Sequence, residues 1–428
     1  MPELVPAYFK PRASILKPDV QHVVLNKPYK FIPPSRSKIW PACFRYLIRP
    51  VLRRNYKVTH VEFRGLEHYQ RSLDAGHGIV LAGNHCRMSD PFVVGAMVRH
   101  QRRPIYVMAS WHLFMQSRLQ GWIMRRCGAF SIYREGADRS ALNMAVDILA
   151  HAERPLLIFP EGGVSRTNDL LQPLLEGAAF IARAAAKKRN KSSGGRVVVH
   201  PIILKYLFKG DLETTICGML DGLERRISWQ TQDHLPFFDR IYKIGNALLS
   251  LREMEYEGRT RSGSVIERTA RLREAIFGPI EAEWGAAAGE EGIIERVKRL
   301  RTAILPDMIR GDLTDAERGR RWRQLADIFY AQQLAFYPPD YIRSNPTPDR
   351  ILETVERFEE DMYGGDAFHG PTQVIMQIGQ AIEVEPTRVR GPDPLLAELA
   401  ASMRSILSEL QHESRPLIPL PSSHPEGL

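Results

Sequence analysis

From residue 78 to residue 206, short apolar runs alternate with segments of helical period, which restricts the first half of the chain to a layered α/β domain. The runs at 78–83, 104–109, 128–133, 155–160 and 196–206 predict strands. The intervening segments at 91–99, 111–126, 138–152 and 172–188 predict helices. Lys187 to Arg196, which contains Ser192, Ser193, Gly194 and Gly195, is expected to be a basic flexible loop.

The flanks differ. Residues 1–37 carry many prolines and read as an extended tail or surface wrap. From Trp40 a helical stripe of Trp40, Phe44, Leu47, Ile48, Val51 and Leu52 begins, with Pro50 expected to kink or shorten it. After about residue 215 the pattern is mainly helical. Thr314 to Glu317 form a capping box before a stripe of Trp322, Leu325, Phe329 and Phe336. Ile351, Val355, Phe358 and Met362 repeat the pattern. Asp393 and Pro394 open a last helix with Leu396, Leu399, Met403, Ile406 and Leu410 on one side. These stripes read as core contacts. One strand, Gln373 to Val384, interrupts the helices.

A chain of 428 residues can bury a sizeable core and suggests one large domain plus another. Its net charge of +10 and pI near 9.4 predict attraction to a polyanion. No zinc-finger spacing or aromatic-rich strand favours nucleic acid, which leaves anionic lipid as the expected partner. Cys43, Cys86, Cys127 and Cys217 have no CxxC spacing and point to a reducing compartment. No run of 18 apolar residues predicts a membrane span, and the N-terminus has no apolar signal region. A cytoplasmic protein lying on the inner face of a membrane is expected. The Trp40 to Arg54 segment and the 111–126 segment both combine aromatics with arginines. Each reads either as an interfacial helix or as an ordinary core helix.

Residues 84–90 read Asn-His-Cys-Arg-Met-Ser-Asp, between the strand run and a helix start. His85 sits at the strand's mouth, and Asp90 N-caps the helix with Pro91 in its first turn. A histidine and a carboxylate so held can form a base and its orienter. Further on, Gly128 to Arg134 is a strand ending in a cation. Phe159-Pro-Glu-Gly-Gly163 ends another apolar run, and Val197 to Lys205 carries Pro201.

In order and spacing these four blocks resemble the glycerolipid acyltransferase family, over roughly residues 40–210. The resemblance implies an α/β acyltransferase fold with a mixed sheet flanked by helices, here with a mainly helical second half. It implies this division: a tail at 1–37, the acyltransferase domain at 38–214 completed by strand 371–385, a helical insertion at 215–370, and a C-terminal helix and tail at 386–428. It implies transfer of an acyl group from acyl-CoA or acyl carrier protein to a hydroxyl of glycerol phosphate or lysophosphatidate. His85 would be the base and Asp90 its orienter. Arg134 would bind phosphate, Glu161 would hold the glycerol hydroxyls or their loop, and Gly162 would allow close backbone approach. The family has threonine or serine where this chain has Gly163, for which Ser165 and Arg166 are candidates to compensate. Pro201 takes a structural role at an edge or bulge. No metal or other cofactor is expected. An acyl-Cys86 route is disfavoured, because adjacent side chains on an extended backbone face opposite ways. The competing readings are a non-catalytic lipid-binding or scaffold protein and an acyltransferase for a lyso-lipid without phosphate.

Overall fold

The computed structural model describes residues 27–101, 103–136, 138–192, 195–285, 292–387 and 391–417. The expected tail at 1–37 therefore lies mostly outside the described residues. What is described of it runs extended along the edge of the sheet. The Ile32 N–H donates to Ser131 Oγ (2.8 Å), and the Ser131 N–H returns a bond to the Ile32 carbonyl (3.0 Å). An edge strand covered in this way is closed to further pairing.

The elements follow in order: α1 (Ile39–Asn55), β1 (Val58–Arg64), α2 (Leu66–Asp74), β2 (Gly78–Gly83), α3 (Asp90–Ala96), α4 (Val98–Gln101), β3 (Tyr106–Ser110), α5 (Trp111–Met115), α6 (Arg118–Arg126), β4 (Ala129–Ile132), α7 (Arg139–Ala150), β5 (Leu156–Ile158), α8 (Gly177–Ser192) and β6 (Val197–Phe208). The helical region comprises α9 (Leu212–Ser228), α10 (Phe237–Glu257), α11 (Val265–Glu283), α12 (Ile293–Arg310), α13 (Asp315–Phe336), α14 (Tyr341–Ser344) and α15 (Pro348–Tyr363). The chain ends with β7 (Thr372–Ile378), β8 (Ile382–Glu383) and α16 (Pro394–Gln411).

All the strands join one mixed sheet in the order β1-β7-β6-β2-β5-β3-β4, with β8 also on β6. β7 is parallel to β1 and antiparallel to β6, so the strand that follows the helical region lies inside the first-half sheet. One face of the sheet packs Ala145, Ile148, Ala182 and Ala185 of α7 and α8 with Leu399, Met403 and Leu407 of α16. The other face packs Leu52 of α1 and Val93 and Val94 of α3. The helical region has two cores of its own, one around Leu272, Phe277, Leu300 and Leu325 and one around Leu220, Ile244 and Val355.

Several expectations need correction. No apolar run marks β1 in the sequence, because only Val58 of it is buried. The 111–126 segment is two helices, broken where Ser117 caps α6 by accepting from the Gln120 N–H (3.2 Å). Its large apolar side chains divide accordingly. Trp111 and Phe114 are core, whereas Leu119 and Trp122 are exposed. Pro50 lies inside α1 without ending it. The α1 stripe also divides, with Leu52 buried and Leu47 exposed. Lys187 to Ser192 is the last turn and a half of α8 rather than loop; Ser193 and Gly194 lie outside the described residues. The box at Thr314 is half formed, because the Glu317 carboxylate turns to Arg320 and Arg321 instead of the cap backbone.

Pro201 is not at an edge, since β6 is central. Its missing N–H falls on the β7–β8 side, where the partner chain breaks between Ile378 and Ile382. There the Gly379 N–H donates to the Pro201 carbonyl (2.8 Å). Gly379 is required for this approach, because a Cβ on it would lie 2.5 Å from the proline ring.

Candidate active site

The site begins where β2 ends. Asn84 leaves the strand, but its side-chain amide continues the ladder to β6. Its Oδ1 accepts from the Leu204 N–H (2.8 Å) and its Nδ2 donates to the Leu204 carbonyl (3.1 Å). His85 follows on this clamped backbone, with its ring stacked on Phe159 (centroids 4.1 Å apart) and partly open to solvent. Its Nδ1 lies 2.8 Å from Asp90 Oδ2.

Asp90 is fully buried in the first turn of α3. Besides the His85 ring it accepts from the Arg87 N–H (2.9 Å) and the Tyr206 hydroxyl (2.6 Å). Three converging donors suit a buried carboxylate. A carboxylate can only accept, so His85 Nδ1 carries its proton and Nε2 keeps a free lone pair. That is the arrangement of a general base held in one tautomer.

Cys86 is buried, with its sulfur turned to the Leu204 carbonyl and Asp90. Burial, reinforced by the Asp90 charge, pushes its thiol well above the usual range. A thiol held protonated is a poor nucleophile.

The second loop follows β5. Glu161 is buried, and one carboxylate oxygen accepts from the His85 N–H (3.2 Å) while the other has no partner. Burial pushes its pKa up to about 8, against the backbone bond from His85 and with the nearby Asp90 charge. Gly162 has φ +74°, a conformation only glycine takes without strain. At Gly163 the helical region presses in. A Cβ there would stand 3.3 Å from both Gln332 Nε2 and the Phe336 ring of α13. The small residue thus accompanies a helix where a hydroxyl side chain would crowd.

The structure does not bring Ser165 and Arg166 to the place of the absent hydroxyl. The Ser165 N–H donates to the His85 carbonyl (2.8 Å), and its hydroxyl ties the turn at Thr167. Arg166 is buried in an ion pair with Glu360 and lies over the Phe368 ring. Both are committed to holding loops together. Arg134 follows β4 and is partly exposed. Among the described residues its guanidinium makes no hydrogen bond or ion pair, and burial lowers its pKa. Among the described residues no group of three His, Cys, Asp or Glu side chains could hold a metal ion.

The pattern reading missed several groups. Tyr206 completes the shell of Asp90 from β6. Arg87 faces Glu356 (3.1 Å) and Glu353 (3.6 Å) of α15, which ties the 84–90 loop to the helical region. A Tyr inside an apolar strand and an Arg inside the motif carried no signal of these contacts.

The mixed sheet thus carries a His–Asp pair at the end of β2. The acyltransferase family model matches residues 60–205 of the chain. The chain is 36% identical over 106 residues to the 1-acyl-sn-glycerol-3-phosphate acyltransferase of Streptococcus pneumoniae (strain ATCC BAA-255 / R6). The likeness covers 25% of this chain and 37% of the relative, so the chain spans little more than a third of the curated relative's length. No solved structure matches the chain.

Proposed function

We propose that the protein is a peripheral membrane O-acyltransferase that moves a fatty acyl group from acyl-CoA or acyl carrier protein to a hydroxyl of glycerol phosphate or lysophosphatidate. The observation that carries the reading is the 2.8 Å contact from His85 Nδ1 to a buried Asp90 that two further donors hold in place. His85 Nε2 takes the acceptor hydroxyl's proton as its oxygen attacks the thioester carbonyl. The new C–O bond forms, the C–S bond breaks, and the imidazolium returns its proton to the departing thiolate. Asp90 stabilises the imidazolium between these steps. No protein nucleophile takes part, in keeping with the buried, protonated Cys86.

Arg134 is the group proposed to meet the acceptor phosphate, since a guanidinium fork suits phosphate oxygens. Glu161 orders the 161–163 loop through the His85 backbone. Docking on the inner, cytoplasmic face of a membrane is proposed through α1 and α6. Their Trp40 and Trp122 rings meet at 4.9 Å under the Arg126 guanidinium. Ile39, Tyr46, Leu47, Leu119 and Trp122 are exposed beside Arg49, Arg53, Arg118 and Arg125. Exposed apolar side chains rimmed by arginines are what an anionic bilayer holds. No helix among the described residues is long and apolar enough to cross a membrane. Exposed Lys187 and Lys191 on α8 suit either the phosphates of CoA or an acidic carrier.

The test is acyl transfer by the purified protein on vesicles, with acyl-CoA or acyl carrier protein as donor and glycerol 3-phosphate or lysophosphatidate as acceptor. His85→Ala is expected to lower kcat by at least about 10²-fold with vesicle binding intact. Equal turnover by the variant overturns the base assignment. Vesicle binding without turnover on any donor–acceptor pair favours a lipid-binding protein on this fold.

A further inference from the structure

The helical region does more than cover the domain; it brings a second cation to the neighbourhood of Arg134. Arg301 of α12 is 5% exposed, yet its guanidinium is nearly unpartnered. Its Nε has no hydrogen bond, and the one contact of an Nη is a long 3.5 Å to Gln332 Oε1 of α13. The next residue, Thr302, donates to the Glu135 carbonyl (3.2 Å), which fixes α12 against the Arg134–Glu135 turn. Glu135 is the nearby carboxylate; its Oε2 lies 3.1 Å from His112 Nε2, and its Oε1 has no hydrogen-bond partner among the described residues. Two guanidiniums thus share one carboxylate, and neither hydrogen-bonds to it. Gln332 continues the cluster toward the catalytic loop, since its Nε2 is the atom that a Cβ on Gly163 would meet. A buried arginine with its fork unfilled is costly unless an anion completes it.

We propose that α12 and α13 complete the acceptor site: Arg301 grips the anionic headgroup together with Arg134, and Gln332 supplies the hydrogen bond lost with the missing hydroxyl at Gly163. This rests on the acyltransferase reading for what the acceptor is, but it makes its own prediction about binding. The mutual repulsion of the two arginines and their burial, which lowers the Arg301 pKa to about 10, are relieved by a dianionic phosphate. The specificity of the enzyme would then reside in part outside the domain that carries the base.

Binding of lysophosphatidate and of monoacylglycerol, each in mixed micelles, is measured on the full chain without an acyl donor. The wild type is expected to prefer lysophosphatidate. Arg301→Gln and Arg134→Gln are each expected to weaken lysophosphatidate binding about tenfold or more and to leave monoacylglycerol unchanged. Arg301→Lys, which keeps the charge but not the fork, is expected to fall between. Gln332→Leu is expected to weaken both ligands. Thermal melts of every variant separate a folding defect from a binding one. Arg301→Gln binding lysophosphatidate as the wild type does, or a wild type indifferent to the phosphate, overturns the proposal. A phosphate preference that Arg301→Gln abolishes, in a protein that transfers no acyl group, upholds this site and removes the catalytic reading.

Discussion

α15 and α16 both come from the second half of the chain and both pack against β6, but opposite chemistry holds them. α16 lays Leu395, Leu399, Met403, Leu407 and Leu410 into the sheet's apolar core. α15 buries its polar side. Asp349, Arg350, Glu353, Glu356 and Arg357 are all buried with Ile351 and Val355. Their partners are the loops of the site. Lys205 lies against Asp169, with Asp349 at 3.7 Å, and Arg350 meets Asp169 at 2.8 Å. Glu353 Oε2 accepts from the Asn168 N–H (3.2 Å), while Arg87 faces Glu356. Apolar contact is non-directional and tolerates a sliding helix. Buried ion pairs with fixed partners do not, and losing one member leaves the others uncompensated. α16 therefore closes a core, while α15 sets where the 84–90 and 165–169 loops stand relative to the helical region.

The sharpest way to break that contrast is Lys205→Met. It fills the same space and leaves Asp169 paired with Arg350, and Asp349 holding the Phe208 N–H and the Ser414 hydroxyl without a cation. Loss of about 3–5 kcal/mol in urea unfolding is expected. Acceptor binding should weaken as well, because Lys205 adjoins Tyr206 in β6 and Asn168 pairs with the Tyr206 backbone (both 2.7 Å). Met403→Ala in α16 is the apolar counterpart. It is expected to cost about 3 kcal/mol as a cavity and to leave the KM for the acceptor unchanged. Equal effects of the two variants on KM, after correction for folding, would remove the distinction between the helices.

The same contrast accounts for what could be read in the sequence. Strands β2, β4, β5 and β6 announce themselves because burial on both faces writes an apolar run, and Gly78 to Gly83 is buried throughout. The His85–Asp90 pair is legible because both residues lie within one short stretch, although Ser89 and not Asp90 is the N-cap of α3. The α16 stripe is legible because one apolar face writes a helical period. β1 is not, since most of its side chains are half-exposed and it needs no such run. Nor is the buried charge on α15. Arg350, Glu353 and Glu356 have the composition of a solvated face, and only Arg87, Asn168 and Asp169, some 180 or more residues earlier, reveal that they are inside. Ser165 and Arg166 look like ligand groups for the same reason: the sequence does not show that a distant Glu360 already occupies the arginine.

Glu161 tests the charged side of the contrast most gently, because it is a buried carboxyl without a cation. Its pKa is raised by burial from the ordinary 4.5 to about 8. Below pH 4.5 the group is protonated both folded and unfolded and costs nothing. As pH rises the unfolded chain releases the proton while the folded protein retains it, so stability falls until the folded group ionises near pH 8 and levels off above that. Glu161→Gln keeps the shape and cannot ionise. Its melting temperature is expected to match the wild type near pH 4.5 and to exceed it by a growing margin, a few degrees by pH 8 to 9. Its amide oxygen can still accept from the His85 N–H, so kcat at neutral pH should change little if Glu161 only orders the loop. A melting difference that is flat across this range would mean that Glu161 is ionised in the fold. The 161–163 loop would then be held by charge, as α15 is, and not by a neutral hydrogen bond.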